Sequence, residues 1–220
     1  MRVASLLITL LTILIALPAP AQPRRTVVYH RPARAMAPSP FQFLFEGGAA
    51  LPQGDLADAF IGTERGLGAS TGYELGVRLR YYVGATTAVG PCFHWVDFGD
   101  WEDVDAQGTP YAVRTSLYRY GLDIHQFLAA REAQVRPFLT IGGALVHNRY
   151  QDWIQTEGTF DATSTNLSFA AGGGIAMGPV ELSVTWNYNP AEFRQLVPVG
   201  ADDAFDWSWL SVRGALAFGR

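Results

Sequence analysis

The sequence predicts an all-β fold: one eight-stranded antiparallel up-and-down barrel that crosses a membrane with its strands. Three observations predict it. Between Phe41 and Phe218, segments of alternating apolar and polar residues recur, and the connections between them alternate long and short. No apolar run after the first 21 residues approaches the ~20 residues that a membrane-spanning helix needs. Side chains alternate faces along a strand, so each segment carries one apolar and one polar face. A water-soluble barrel buries its apolar face and has no reason to alternate loop length. A barrel in lipid turns that face outward, with short turns on the periplasmic side and long loops outside.

Taken in order, residues 1–21 read as a signal peptide. Arg2 supplies the positive start, Leu6 to Leu17 the apolar stretch, and Ala19-Pro20-Ala21 an A-x-A cleavage site. Residues 22–40 are rich in Pro, Arg and Ala without a sustained period, which fits a flexible periplasmic lead-in. The barrel then occupies 41–220. Its strands are expected near 41–50, 72–83, 86–98, 113–127, 135–149, 164–176, 179–189 and 207–218. Two show the alternation most plainly. From Tyr73 to Tyr81 the odd positions are Tyr, Leu, Val, Leu and Tyr, and the even ones Glu, Gly, Arg and Arg. From Val180 to Tyr188 the even positions are Val, Leu, Val, Trp and Tyr, set against Glu181, Ser183, Thr185 and Asn187. The connections at 51–71, 99–112, 150–163 and 190–206 are long and the three others short, as closure by an even number of strands requires when both chain ends lie on one side.

The long segments hold 14 of the 20 acidic residues and only two arginines, Arg65 and Arg194, so one rim is expected to be negative. Aromatics gather near that rim (Tyr73, Trp95, Tyr118, Tyr150, Trp153, Trp186, Tyr188, Trp207) and at the opposite ends (Phe41, Tyr81, Tyr82, Phe127, Phe218). Two such girdles mark the two interfaces of a membrane. A net charge of −4 with no clustered basic face argues against nucleic acid as a partner. Cys92 is the lone cysteine, which excludes an intrachain disulfide and a thiolate metal cluster.

Four stretches carry a resemblance. They are Gly47-Gly48-Ala49-Ala50-Leu51-Pro52-Gln53-Gly54-Asp55, Gly72-Tyr73-Glu74-Leu75-Gly76-Val77, Arg136-Pro137-Phe138-Leu139-Thr140-Ile141-Gly142-Gly143, and Ala170-Ala171-Gly172-Gly173-Gly174-Ile175. Through them the chain resembles the outer membrane protein beta-barrel domain family of Gram-negative bacteria, the small OmpA/OmpX-like barrels. The resemblance implies residence in the cell outer membrane, contact with outer-membrane lipids and lipopolysaccharide, and insertion by the barrel-assembly machinery. Phe218 matches the family's terminal aromatic, although Gly219 and Arg220 follow it.

Charged residues fall on the inward faces. Glu46, Arg78, Arg119, Asp123 and Arg213 are expected near mid-height, with Glu46 between Arg78 and Arg213 because the first, second and eighth strands are neighbours in a closed barrel. Eight strands leave an interior just wide enough for side chains. Buried charges must be paired, so these five are expected to form an ion-pair plug, either as a static polar core or as a gate that opens when one pair breaks. Asp100, Glu102, Asp103 and Asp105 form the second candidate, a weak Ca²⁺ or Mg²⁺ loop bridging to lipopolysaccharide phosphates. They lack the EF-hand spacing and its distal Glu, so a solvated acidic loop is the alternative.

No cofactor is implied. Of the four histidines, His94 and His125 fall on inward faces, His30 in the lead-in and His147 near the outer rim. The pattern places no nucleophile beside a base. The expected role is therefore that of a monomeric, non-enzymatic outer-membrane barrel, structural or adhesive through its surface loops. A narrow gated pore is the alternative, followed by a lipid A-modifying enzyme and a soluble lipocalin-like carrier.

Overall fold

A computed structural model describes residues 39–57, 68–104, 108, 110–154, 158–191 and 205–219. The expected signal peptide and nearly all of the expected lead-in lie outside the described residues. Eight strands close into a barrel: β1 Phe41–Pro52, β2 Gly72–Tyr82, β3 Thr87–Val104, β4 Pro110–Phe127, β5 Val135–Ile154, β6 Gly158–Met177, β7 Val180–Tyr188 and β8 Trp209–Phe218. Each pairs antiparallel with its sequence neighbour, and β1 pairs with β8 from Phe43↔Phe218 to Pro52↔Trp209, so no edge is left within the ring. The short connections and both ends of the described barrel lie at one end. The tightest turn, between β6 and β7, rests on Gly178 with φ +62°, a conformation that a side chain disfavours.

The strands β3 to β6 are longer than expected. They run 18, 18, 20 and 20 residues, about twice the ~9–11 that cross a bilayer. Most of 99–112 and 150–163 is therefore strand rather than loop, and two hairpins continue past the ring as one four-stranded sheet. The alternation breaks at an irregularity between Asp97 and Asp100, where Gly99 takes φ +74°. That bulge hides the continuation in the sequence.

The outward face is apolar around the ring. Leu75, Leu122, Ile141, Leu145, Leu167 and Phe169 are all more than half exposed. A contiguous surface of this kind needs an apolar partner, and around a whole barrel that partner is lipid. Aromatic pairs border it: Tyr73–Trp95 and Trp186–Tyr188 at the long-connection end, Phe41–Tyr81 and Phe45–Phe218 at the other. Four expected girdle members are instead inside the barrel. Tyr150 and Trp207 are buried at the upper end, Tyr82 and Phe127 at the lower, because strand parity turns Tyr82, Phe127 and Tyr150 inward and Trp207 joins the buried cluster of Leu56 and Trp209. Tags near Gln107 and Asp203 are expected to be reached by antibody on intact cells, and tags at Ala129 or Gly178 only after permeabilisation. Surface labelling at the short turns would invert this topology.

Inside, the side chains form three tiers. At the short-turn end Tyr82, Ala88, Phe127, Phe138 and Ala176 make an aromatic floor, in which the buried Arg136 lies over Phe127. Charged residues fill the middle. At the opposite end Leu56, Phe98, Leu117, Tyr150, Trp207 and Trp209 belong to an apolar cap. The cap is held by a 3-10 turn at Gly54–Leu56 and a two-residue ladder, Pro190–Ala191 with Phe205–Asp206. Their anchors are Gln53 N donating to Ser208 O (2.8 Å), Ala69 N to Leu56 O (2.9 Å) and Asp206 N to Asp55 Oδ2 (2.9 Å).

Candidate functional site

Strand parity points Glu46, Arg78, Arg119, Asp123 and Arg213 into the lumen, and all five are buried. Glu46 on β1 lies 3.0 Å from Arg78 on β2 and 3.5 Å from Arg213 on β8. Arg78 continues to Asp123 on β4 at 3.0 Å, and Asp123 to Arg119 at 2.8 Å. The structure therefore brings the five residues into one connected group. Three carboxylates, with Glu74 included, face three guanidiniums, which is the balance that buried charge requires.

The network is larger than those five. His94 on β3 sits between two acids, Nε2 2.8 Å from Glu46 and Nδ1 2.7 Å from Glu74. Glu74 also accepts from Arg213 at 3.2 Å and from the Ser211 hydroxyl. Arg213 donates in turn to Thr185 Oγ1 at 2.7 Å, and Arg119 to Cys92 Sγ at 2.9 Å. His125 Nε2 stands 2.8 Å from Arg78. A second pair lies nearer the floor, where Arg80 on β2 makes a two-pronged contact with Glu181 on β7 at 2.7 and 2.9 Å. Such forked contacts are the stronger geometry for a guanidinium and a carboxylate. Arg80 and Arg136 also stack over Phe127, at 5.2 and 4.5 Å. Alternation alone turns each of these residues inward. Which of them meet depends on register and on distances across the lumen, and neither is written in any one strand.

Glycines make the room. A Cβ on Gly142 would fall on Asp123 Oδ1, and one on Gly76 on the His94 ring. Gly143, one residue on and facing outward, has nothing near its missing Cβ. Gly142→Ala is expected to lower stability by ~1–3 kcal/mol through overpacking, whereas Gly143→Ala shifts it by no more than ~0.5 kcal/mol. Urea titration of the two refolded variants checks the contrast, and equal midpoints would place Asp123 elsewhere.

The acidic segment is arranged differently. Asp100 pairs with Arg114 across the β3–β4 ladder at 3.6 Å, and Arg114 also binds Asp97 at 2.7 Å. Glu102 is exposed on the outer face, Asp103 pairs through its backbone with Tyr111 in the β3–β4 ladder, and Asp105 lies outside the described residues. A strand thus separates side chains that a loop would let converge. Among the described residues no three metal-binding side chains stand together. The rim also carries more positive charge than the expected loop bounds gave it, since Arg114 and Arg149 belong to the hairpin extensions. Arg149 bonds to Asp161, which holds that carboxyl below its ordinary range, and the hydrogen bond to Asp97 raises Arg114. Farther down the outer wall, His147 Nδ1 lies 3.0 Å from Thr165 Oγ1, with no carboxylate bonded to the ring among the described residues.

No protein-family model matches the chain, and no curated protein matches it in sequence. Solved structures are. Neisserial surface protein A superposes with a TM-score of 0.53 at 13% identity, over 84% of this chain and 99% of that one. Ail, the attachment invasion locus protein of Yersinia pestis, solved with the heparin analogue sucrose octasulfate, gives 0.50 at 13% identity over 81% and 99%. At this identity the likeness is one of fold. The chain has the fold of the small outer-membrane β-barrels, closed by eight antiparallel transmembrane strands.

Proposed function

We propose that the protein is an integral outer-membrane barrel, monomeric among outer-membrane lipids and lipopolysaccharide, that works as a sealed scaffold displaying its outer hairpins and loops. The three-tiered lumen carries this proposal. A conducting path would have to part the aromatic floor with its stacked Arg136 and the apolar cap as well as the ion pairs between them. The apolar belt supports residence in lipid, and a lipocalin-like carrier would turn those same leucines inward and the arginines outward. Among the described residues the His147–Thr165 contact has no third group to orient the base, as a nucleophile–base–orienter arrangement needs, so a non-enzymatic surface role fits best.

The test combines membrane fractionation with planar-bilayer recording of the refolded full-length mature chain. The expected result is recovery in the outer-membrane fraction and a silent bilayer. Steady single-channel conductance would overturn the sealed scaffold in favour of a pore, and recovery in the soluble fraction would overturn the membrane assignment.

A further inference from the structure

On the outer wall of the projecting sheet, two neighbouring cross-strand rows build a depression. One row runs Glu102, Ala112, Trp153, Thr159 and the other Asp100, Arg114, Gln151, Asp161, each from β3 through β4 and β5 to β6. Direct partners in a ladder share a face. The faces are fixed by Tyr118, Leu145 and Leu167 lower on the same strands, which are exposed at the matching parity. Ala112 is the only short apolar side chain in either row, and the space it leaves is a cavity of about 240 Å³ lined by Asp100, Ala112, Arg114, Gln151, Trp153 and Thr159 among others. The Trp153 ring, 44% exposed, forms one wall.

We propose that this depression binds one ring of a neutral saccharide. It offers an indole ring for the C–H face of a sugar. Around that ring stand a carboxylate, a guanidinium, an amide and a hydroxyl, which together accept from and donate to ring hydroxyls. Its volume is below the ~300–1,000 Å³ of sites for drug-sized ligands, so it accommodates a single ring. Charge excludes a polyanion. Asp97, Asp100, Glu102 and Asp161 outnumber Arg114 and Arg149 on this wall, and both arginines are already paired. A sulfated or multiply phosphorylated glycan would meet net negative charge here.

The site deepens the surface role proposed above and rests on the membrane orientation assigned there. Arg114 stands four residues beyond the aromatic Tyr118, or ~13 Å along the strand at ~3.3 Å per residue. The depression is therefore above the hydrocarbon, at the level of lipid head groups and beyond. The sugar can come from the saccharide of an outer-leaflet glycolipid or from a glycan on another cell.

Saturation-transfer NMR on the full-length mature chain in phosphatidylcholine nanodiscs, which contain no glycolipid, tests the site. The probes are methyl glycosides of glucose, galactose, N-acetylglucosamine and heptose, the neutral hexose–heptose part of core oligosaccharide freed of lipid A, acidic sugars and phosphate, and sucrose octasulfate. At least one neutral probe is expected to show transfer to its ring C–H protons. Trp153→Ala and the space-filling Ala112→Leu are each expected to raise its Kd at least tenfold, while Trp186→Ala on the aromatic girdle leaves it unchanged. Preference for the core oligosaccharide assigns the sugar to the outer leaflet, and preference for the hexosides assigns it to another cell. Absence of transfer from every neutral probe, tighter binding of sucrose octasulfate, or a signal that survives both groove variants would overturn the proposal. Any of those results leaves the fractionation outcome untouched, so failure of the sugar site is distinguishable from failure of the membrane assignment.

Discussion

Glu46→Ala is expected to lower the stability of the refolded barrel by ~3–5 kcal/mol and to leave a planar bilayer silent. The first half follows from what the side chain touches. Glu46 contacts Arg78, His94 and Arg213 at 3.0, 2.8 and 3.5 Å in a closed interior, and removing it leaves two guanidiniums short of a partner. Breaking a buried pair from one side typically costs about 3–5 kcal/mol, because the remaining charge stays desolvated. The second half follows from the tiers. The substitution opens space only in the middle layer, and the Phe127–Phe138 floor and the Trp207–Trp209 cap still close both ends. Glu46→Gln, which keeps shape and hydrogen bonds but removes charge, is expected to fall between. Conductance appearing in Glu46→Ala would mean that the ion pairs themselves hold the lumen shut. An unchanged denaturant midpoint would remove Glu46 from the network.

Ile141→Arg is expected to block membrane assembly. Ile141 is 60% exposed and lies midway along the apolar face of β5, between Val135 near the turn and His147 near the outer girdle. An arginine there meets hydrocarbon at mid-depth, at about 2–4 kcal/mol. Leu182→Arg is a matched control of the same chemistry. Leu182 also faces outward, yet only a few residues separate it from the Gly178 turn, so its arginine can reach the interface and the expected cost falls to ~0–1 kcal/mol. The fraction of each variant that shows the heat-modifiable gel shift after refolding into vesicles reads out the difference. The reverse ranking would misplace the midplane, and indifference to both would remove lipid from the outer face.

Within the membrane the architecture was legible in the sequence, because lipid imposes a strict period of two. β2 and β7 show it residue by residue, and parity alone sends Glu46, Arg78, Arg119, Asp123 and Arg213 inward. Above the membrane that constraint lapses. Both faces of the β3–β6 extension are free to mix polar and apolar residues, and the Gly99 bulge shifts the phase, so strand was read as loop. The cap was hidden for another reason. Leu56 and Trp207 come from connections without periodicity, and nothing local distinguishes a tryptophan at an interface from one folded over a lumen. His94 was legible as inward but not as the bridge between Glu46 and Glu74, since that depends on two ladders at once.

Several ion pairs also bear on the order of assembly. Arg80 and Glu181 are 101 residues apart in the chain, on strands separated by β1 and β8 in the ring. Arg213 and Glu74 are 139 apart and meet only after the seam between β1 and β8 has joined. A sheet that has formed its hairpins but has not curled shut exposes these charges to water on an open surface. Joining the seam strips that water and forms the pairs in the same event, with the loop-closure entropy of nearly the whole barrel lost at once. Ring closure should therefore be the slow and cooperative step. A chain halted before it would be soluble along its inner face, sticky along its outer one, and still able to adjust its register.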